Sequence, residues 1–462
     1  MHAIIVGAGP TGLFAGIALA RRGLRVTVID RDSGPESGQE WRRVGVMQFH
    51  HPHGFRQQVV DALRAEMPEV LDDLLTAGAE PATQPDQPGR VLGLRCRRMT
   101  FERVLRSAAA VEPGLTLQTG HVEQVSCAGG RAVGVRMNGQ VVDADLVVDA
   151  SGRAGRVGDG LRAAAAVGDC GVAYVSRQYR LRPGAEPGPM NSPVGMVSTY
   201  AGYQVIVFLH DNRYFSTLVV RASTDHQLAA LREVEAFDAV ARVVPALAEW
   251  TDPVRAHAST SVLPGGRLYN SYRGQLTADG RVALPGLFFV GDSVCTTNPA
   301  VGRGVATSLM QVEHLLALLD AGSDDFEACS HAFDRWCVEN IQPWFHDHAY
   351  ADSQLARRWS GHDIDLTQPV PSDLIMAATA VDPTMLKVVG PYMAMLALPA
   401  SLGEVEPRAH EIYSSGWRSP TPDGPTRDQL ADLLAPWVSQ QPARRRDVER
   451  RATGTSDMLS FT

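Results

Sequence analysis

The chain has 462 residues and carries 43 Lys and Arg against 51 Asp and Glu, a formal charge of −8. That mild acidity argues against a protein built to hold a nucleic acid or another polyanion, and 44% hydrophobic with 20% charged residues excludes a mainly disordered chain. The length calls for about three domain-sized units. Six dispersed cysteines with no Cys-x-x-Cys pair argue against a disulfide framework or a cysteine zinc site. Lys387 is the only lysine, so nearly all the basic charge is arginine, a skew that fits a coding bias better than a dedicated anion site.

In chain order, residues 3 to 30 read as an apolar strand (Ala3–Val6), a glycine loop, an alanine-rich helix and a second apolar strand ending at Asp30. The N-terminus enters this strand with no basic region, apolar segment and cleavage site before it, so no secretory signal is read and a cytoplasmic location is expected. Gly7 permits the tight turn, Gly9 lets backbone approach a diphosphate, and Gly12 lets the helix pack close to the sheet. The helix is entered through Pro10 and Thr11, and its free N–H groups and positive dipole end would face that diphosphate. Asp30 is placed to accept from both hydroxyls of an adenosine ribose, with Arg31 beside it. The unit predicts a dinucleotide carrying ADP; NAD and FAD both qualify.

Arg42 and Arg43 follow, then His50-His51-Pro52-His53, three imidazoles within four residues. A metal site there would need further ligands held by outer partners, and Pro52 breaks both helical and strand spacing, so no metal is expected. Ligand contact and a structural loop both remain open for this segment. Arg98 to Leu105 reads as a strand-to-helix junction opening on arginine, and residues 141 to 156 as a strand ending in Asp149-Ala-Ser-Gly152-Arg153. Short apolar bursts at 172–182, 203–210 and 214–221 predict antiparallel strands. A helical pattern covers 226–250. The strand at 287–290 then delivers Gly291-Asp292 to a loop, Cys295-Thr-Thr-Asn-Pro299-Ala-Val-Gly302-Arg303-Gly304, with helices predicted over 305–320, about 325–360, and, with breaks, 370–437. Residues 385–402 are apolar but interrupted by Lys387, Gly390, Pro391 and Pro399, which argues against a membrane span. The last segment, 441–462, has little apolar periodicity and reads as a mobile tail.

The order and spacing of Gly7-x-Gly9-x-x-Gly12, Asp149-Ala-Ser-Gly152 and Gly291-Asp292 with Pro299-x-x-Gly302-x-Gly304 resemble the FAD-dependent monooxygenases of the glutathione-reductase type, the superfamily of aromatic hydroxylases and squalene-epoxidase-like enzymes. The resemblance implies an α/β fold with a Rossmann-type FAD-binding domain (1–165 and 280–325, part of 45–95 facing substrate). It further implies an inserted, mainly antiparallel β-sheet substrate domain (166–279) and a helical C-terminal region (326–440). It implies that Asp292 accepts from the ribityl chain and that Pro299, Gly302, Arg303 and Gly304 bring backbone N–H groups and a helix start to the flavin ring. Arg98 would lie beside the FAD, Arg42 or Arg43 near the diphosphate or ring entrance, Val122 among the cofactor contacts, and His50, His51 and His53 near flavin or substrate.

The implied reaction is insertion of one oxygen atom from O2 into a largely apolar small molecule through a flavin C4a-hydroperoxide, as epoxidation or hydroxylation. A flavin oxidase, dehydrogenase or double-bond reductase is the alternative, and a non-catalytic flavin-binding protein a third. Where the NADPH-using hydroxylases carry an Ala-Asp-Gly turn, this chain has Ala150-Ser151-Gly152. Electrons are therefore expected from NAD(P)H either directly or through a separate flavin reductase. Flavin-dependent halogenases are marked by Trp-x-Trp-x-Ile-Pro and a catalytic lysine; no two tryptophans here are two apart, and Lys387 is far from such a position.

Overall fold

The structure is a computed structural model and describes residues 1–35, 41, 43, 45–84, 87–322 and 325–439. Arg42 and the expected tail 441–462 lie outside the described residues. The core is a five-stranded sheet in the order Leu287–Phe289, Leu146–Asp149, His2–Val6, Arg25–Asp30, Leu115–Thr119, with every neighbouring pair parallel. Its strands are near-continuous apolar runs, and Ile4, Ile5, Val147, Val148 and Phe288 are fully buried, as a parallel sheet covered on both faces requires. Register sets Val6 beside both Ile29 and Asp149, and Asp149 beside Phe289. Three motifs far apart in sequence therefore leave the sheet side by side at its C-terminal edge, where open α/β sheets bind ligands.

The stretch read as one strand over 141–149 is two. Gln140–Asp143 closes a small antiparallel sheet with Val122–Ala128 and Arg131–Met137, and Leu146–Asp149 enters the core. The break comes at Asp145, whose carboxylate accepts from the His2 backbone N–H at 2.7 Å.

The middle of the chain forms an antiparallel sheet in the order Gly195–Tyr200, Tyr203–Leu209, Tyr214–Ala222, Val172–Leu181, Ala256–Ala258. Period-two alternation sorts the long strand Val172–Leu181. Val175 and Tyr179 enter an outer core with Phe237, Leu247 and Trp250, while Tyr174, Ser176 and Gln178 face the FAD-side domain. The helical stretch over 226–250 is a short 3-10 turn and two helices that part at Val244, before Pro245. Likewise the stretch from 325 to 360 divides at Ile341 into Phe326–Asn340 and Gln342–Trp359; a proline in the first turn cannot continue the preceding helix.

The C-terminal region does not behave as one unit. Helices from 326 to 414 join the core cluster of the parallel-sheet domain. Helix Arg427–Val438 crosses to the outer face of the middle sheet and buries Leu430, Ala431 and Leu434 there. Arg427 pairs with Asp225 at 2.9 Å, and Tyr203 donates to the Pro425 carbonyl at 2.7 Å. Buried Asp211 of the middle domain accepts from the Arg97 backbone N–H at 2.6 Å, from its guanidinium and from the Thr100 hydroxyl. That lock fixes the start of helix Arg98–Val111 and with it the position of Arg98.

Candidate cofactor and substrate site

A cavity of about 1150 Å³ runs from the C-terminal edge of the parallel sheet to the inner face of the middle sheet. Single small-ligand pockets are typically ~300–1,000 Å³, so this space suits a long ligand with a second molecule beside it.

At the sheet end the three loop glycines have different reasons to be glycine. Gly7 has φ +105°, and a Cβ there would meet the Ala150 carbonyl oxygen at 2.6 Å; a Cβ on Gly12 would meet the Gly7 oxygen at 1.9 Å. Both serve the fold, and Gly12 does not line the cavity. Gly9 has an ordinary φ of −80°, and its Cβ would project into open space before the helix Pro10–Arg21. Gly9, Pro10 and Thr11 all line the cavity. Glycine at position 9 thus keeps a cradle open for something that is not protein, which is what a diphosphate at a helix N-terminus requires.

Asp30 also lines the cavity, and its carboxylate accepts from the backbone N–H groups of Ala8 (2.7 Å) and Asp32 (2.9 Å). Burial pushes its pKa up, but the Arg43 guanidinium and those two N–H groups outweigh it and hold the carboxyl below its usual range. Arg43 was expected at the diphosphate or ring entrance. It reaches the cavity wall, yet its charge is taken by Asp30 at 2.7 Å and fully buried Glu102 at 2.5 Å; it orients Asp30 and has little left for a ligand. Arg31 and Val122 line the same end.

Arg98 lines the cavity, is paired with Glu102, and donates to His53 Nε2 at 3.1 Å. His53 Nδ1 donates to the His51 carbonyl at 3.0 Å, which makes His53 the neutral Nδ1–H tautomer; burial and Arg98 push its pKa well down. His51 Nδ1 lies 2.7 Å from the Ser176 hydroxyl, and its ring meets Tyr174 edge-on at 5.0 Å. Burial, with His50 nearby, lowers its pKa to about 4. The middle sheet holds this segment, since Gln178 donates to the His50 carbonyl at 2.6 Å. His51 and His53 line the cavity and His50 does not. Between its ordinary pKa of 6.5 and the folded value near 4, His51 binds a proton only in the unfolded chain, so it removes stability as pH falls through that range. His51→Gln should therefore flatten the acid limb by at least about 1 kcal/mol between pH 7 and 4.5; urea unfolding at both pH values tests this, and an unchanged pH dependence would contradict it.

At the far end Asp292 lines the cavity and its carboxylate accepts no hydrogen bond among the described residues; burial raises its pKa against the pull of Arg98 and Arg153. A half-buried carboxylate that faces a cavity without a protein donor leaves room for a ligand hydroxyl to donate to it. Pro299, Gly302 and Gly304 line this end, Gly302 in the left-handed region at φ +67°.

Arg303 was expected to bring backbone N–H to the flavin ring, and the role of its side chain is a separate one. Its side chain turns away from the cavity, pairs with Asp347 at 3.1 Å and lies between the rings of Trp344 and Tyr392 at 4.6 and 4.8 Å. A guanidinium gains more between a carboxylate and two aromatic faces than in an open cavity; Arg303 anchors the loop to the C-terminal helices.

Sequence reasoning missed two further anchors of this loop. Arg56 donates to the Val301, Gly302 and Met393 carbonyls at 2.7, 3.0 and 2.6 Å. Buried Asp352, its pKa raised by burial to about 6, accepts from the amides of Asn298 and Asn270, both at 2.8 Å. Neither residue belongs to a motif; an acidic residue on the otherwise inward face of helix Gln342–Trp359 was the available signal. The cavity-lining Tyr174 and Tyr269 of the middle domain carried no signal beyond strand pattern.

Comparison with known proteins agrees with this geometry. Residues 2–91 match the family described as FAD dependent oxidoreductase. A search of curated proteins finds no match. Among solved structures, the flavin-dependent brominase Bmp2 is similar over 90% of this chain and 100% of its own, with 17% identity and a TM-score of 0.63. PqsL, a probable FAD-dependent monooxygenase from Pseudomonas aeruginosa, is similar over 78% of this chain and 99% of its own, with 14% identity and a TM-score of 0.56. The myxobacterial chondrochloren halogenase CndH is similar over 93% and 98%, with 18% identity and a TM-score of 0.57. The N-terminal segment thus matches an FAD dependent oxidoreductase family, and the whole chain has a fold similar to those of a flavin-dependent brominase, a flavin-dependent halogenase and a probable FAD-dependent monooxygenase.

Proposed function

We propose that this protein is a monooxygenase that inserts one oxygen atom from O2, by epoxidation or hydroxylation, into a largely apolar small molecule of specialised metabolism. The observation that carries the reading is the continuity of the cavity from the Gly9 cradle, past Asp292, to a second wall made by Tyr174 of the middle sheet with Leu268 and Tyr269 beside it. A protein that only stored flavin would need no such wall.

When bound, FAD supplies the two-electron chemistry that activates dioxygen. In this reading Gly9 and the helix start receive its diphosphate, Asp30 its ribose, Asp292 its ribityl hydroxyls, and the loop carrying Pro299, Gly302 and Gly304 its ring. The middle sheet excludes water from the reacting atoms and orients the substrate against them. His53 has both ring nitrogens engaged, whereas His51 keeps Nε2 unengaged among the described residues. On the substrate wall and neutral, His51 is suited to hydrogen-bond a polar group of the substrate.

The fold is shared with halogenases, but the chain's single lysine, Lys387, is exposed and does not line the cavity, which counts against a lysine-dependent halogenation. Electrons would come from NAD(P)H directly or through a separate flavin reductase; rapid anaerobic bleaching of the substrate-bound flavin by either nicotinamide would remove the need for the second protein. Turnover of apolar candidates under labelled dioxygen is expected to place one labelled oxygen in the product. A product that has lost or gained two hydrogens without label would instead establish the oxidase, dehydrogenase or reductase reading.

A further inference from the structure

Arg43 and Arg98 reach the cavity with their charges met by carboxylates: Arg43 by Asp30 and Glu102, Arg98 by Glu102. Arg31 and Arg156 also reach it but are exposed, so water solvates them. Arg153 differs from both groups. It is half-buried and lines the cavity, its guanidinium lies over the Tyr269 ring at 5.2 Å, and it has no hydrogen bond or ion pair among the described residues.

Its place is on the middle-sheet side. Its charge acts on the phenol of Tyr174 and the thiol of Cys170, at the start of that sheet, and on Asp292 below. The diphosphate cradle has its own positive end in the helix behind Gly9. The neighbouring imidazoles, His51 and His53, are neutral and add no competing cation. A half-buried guanidinium without a protein anion is free to take one from a ligand, and a planar fork stacked on an aromatic ring is preorganised for two parallel bonds to a carboxylate.

We propose that Arg153 is a substrate-binding residue and that the substrate is an organic acid, its carboxylate held by Arg153 over Tyr269 and its apolar body lying along Tyr174 and Leu268. This rests on the monooxygenase reading for the place of the flavin, and it narrows "largely apolar" to an apolar molecule with one anionic end. The same guanidinium could be claimed by a phosphate of FAD, and the test separates the two sources.

The FAD-loaded full-length protein is titrated with three acid–amide pairs, benzoate and benzamide, 2-naphthoate and 2-naphthamide, decanoate and decanamide, read by perturbation of the flavin absorption band. In at least one pair the acid should bind roughly ten- to hundredfold tighter, the worth of a charge-assisted hydrogen bond. Arg153→Met should erase that preference while amide affinity and FAD retention hold, and Arg153→Lys should keep part of it. Absence of acid preference in all three wild-type pairs overturns the proposal. So does an Arg153→Met protein that sheds FAD while its residual holoprotein still prefers the acid, because the cation then serves the diphosphate. Acid preference that depends on Arg153 without oxygen insertion under labelled dioxygen would leave this assignment standing and sink the monooxygenase reading alone.

Discussion

Gly9→Val is expected to lower FAD affinity roughly a hundredfold or more, on the order of 3 kcal/mol, while the cofactor-free protein stays folded. Backbone strain does not enter, because φ −80° and ψ −177° at Gly9 suit any residue and the added Cβ would meet no protein atom within 4 Å. Losing glycine at a helix N-cap costs at most about 1 kcal/mol. The added isopropyl group instead fills the space a diphosphate must enter to reach the helix N–H groups. Gly12→Ala is the matched control: its Cβ would lie 1.9 Å from the Gly7 carbonyl oxygen, so even the apoprotein should lose stability. Fluorescence titration of apoprotein with FAD, paired with thermal melts without cofactor, reads both effects. Wild-type FAD affinity in Gly9→Val would disprove the assignment of the cradle.

Arg43→Met is expected to cost about 1.5–3 kcal/mol of stability at pH 8, the range for losing hydrogen bonds to charged groups, because Asp30 loses its cation while Glu102 keeps Arg98. Glu102 is fully buried and the Arg43 side chain only 3% exposed, so water cannot take the missing partner's place. In the wild type, Asp30 is held below its ordinary pKa, so its contribution is complete above about pH 4, the unfolded value, and is lost as pH falls through the folded one. Without Arg43, Asp30 takes up a proton more readily, and the deficit against wild type should shrink between pH 8 and 5. Urea unfolding at pH 8, 6 and 5 measures this. A deficit independent of pH would mean that lost packing, not stranded charge, sets the cost.

Much of the site could be read from local pattern. The strand–glycine–helix unit, Asp30, Arg98 at a helix start and Gly291-Asp292 after a strand each announce themselves within a few residues, because turns, caps and strand ends constrain the residue types nearby. The side-chain partners of Arg43 and Arg303 were not legible, for a shared reason. An arginine beside a motif can point either way along its long side chain, and only the packed surroundings show that Glu102 or Asp347 captures it. The breaks at Val244 and Ile341 were signalled by Pro245 and Pro343, whereas the one at Asp145 interrupts a run with no such marker.

By itself the sequence determined a strand, glycine loop and helix start of the kind that takes an ADP-bearing cofactor, a middle of antiparallel strands and a mainly helical C-terminal part, all properties of short-range periodicity and backbone freedom. Tertiary structure alone decided which motifs converge, through the parallel register that aligns Val6, Asp149 and Phe289. It also decided which arginines are neutralised and which, in Arg153, is left to a ligand, and that helix Arg427–Val438 braces the middle sheet rather than the parallel-sheet domain. Charge pairing and face-to-face burial act between residues tens to hundreds of positions apart, and no window of sequence contains both partners.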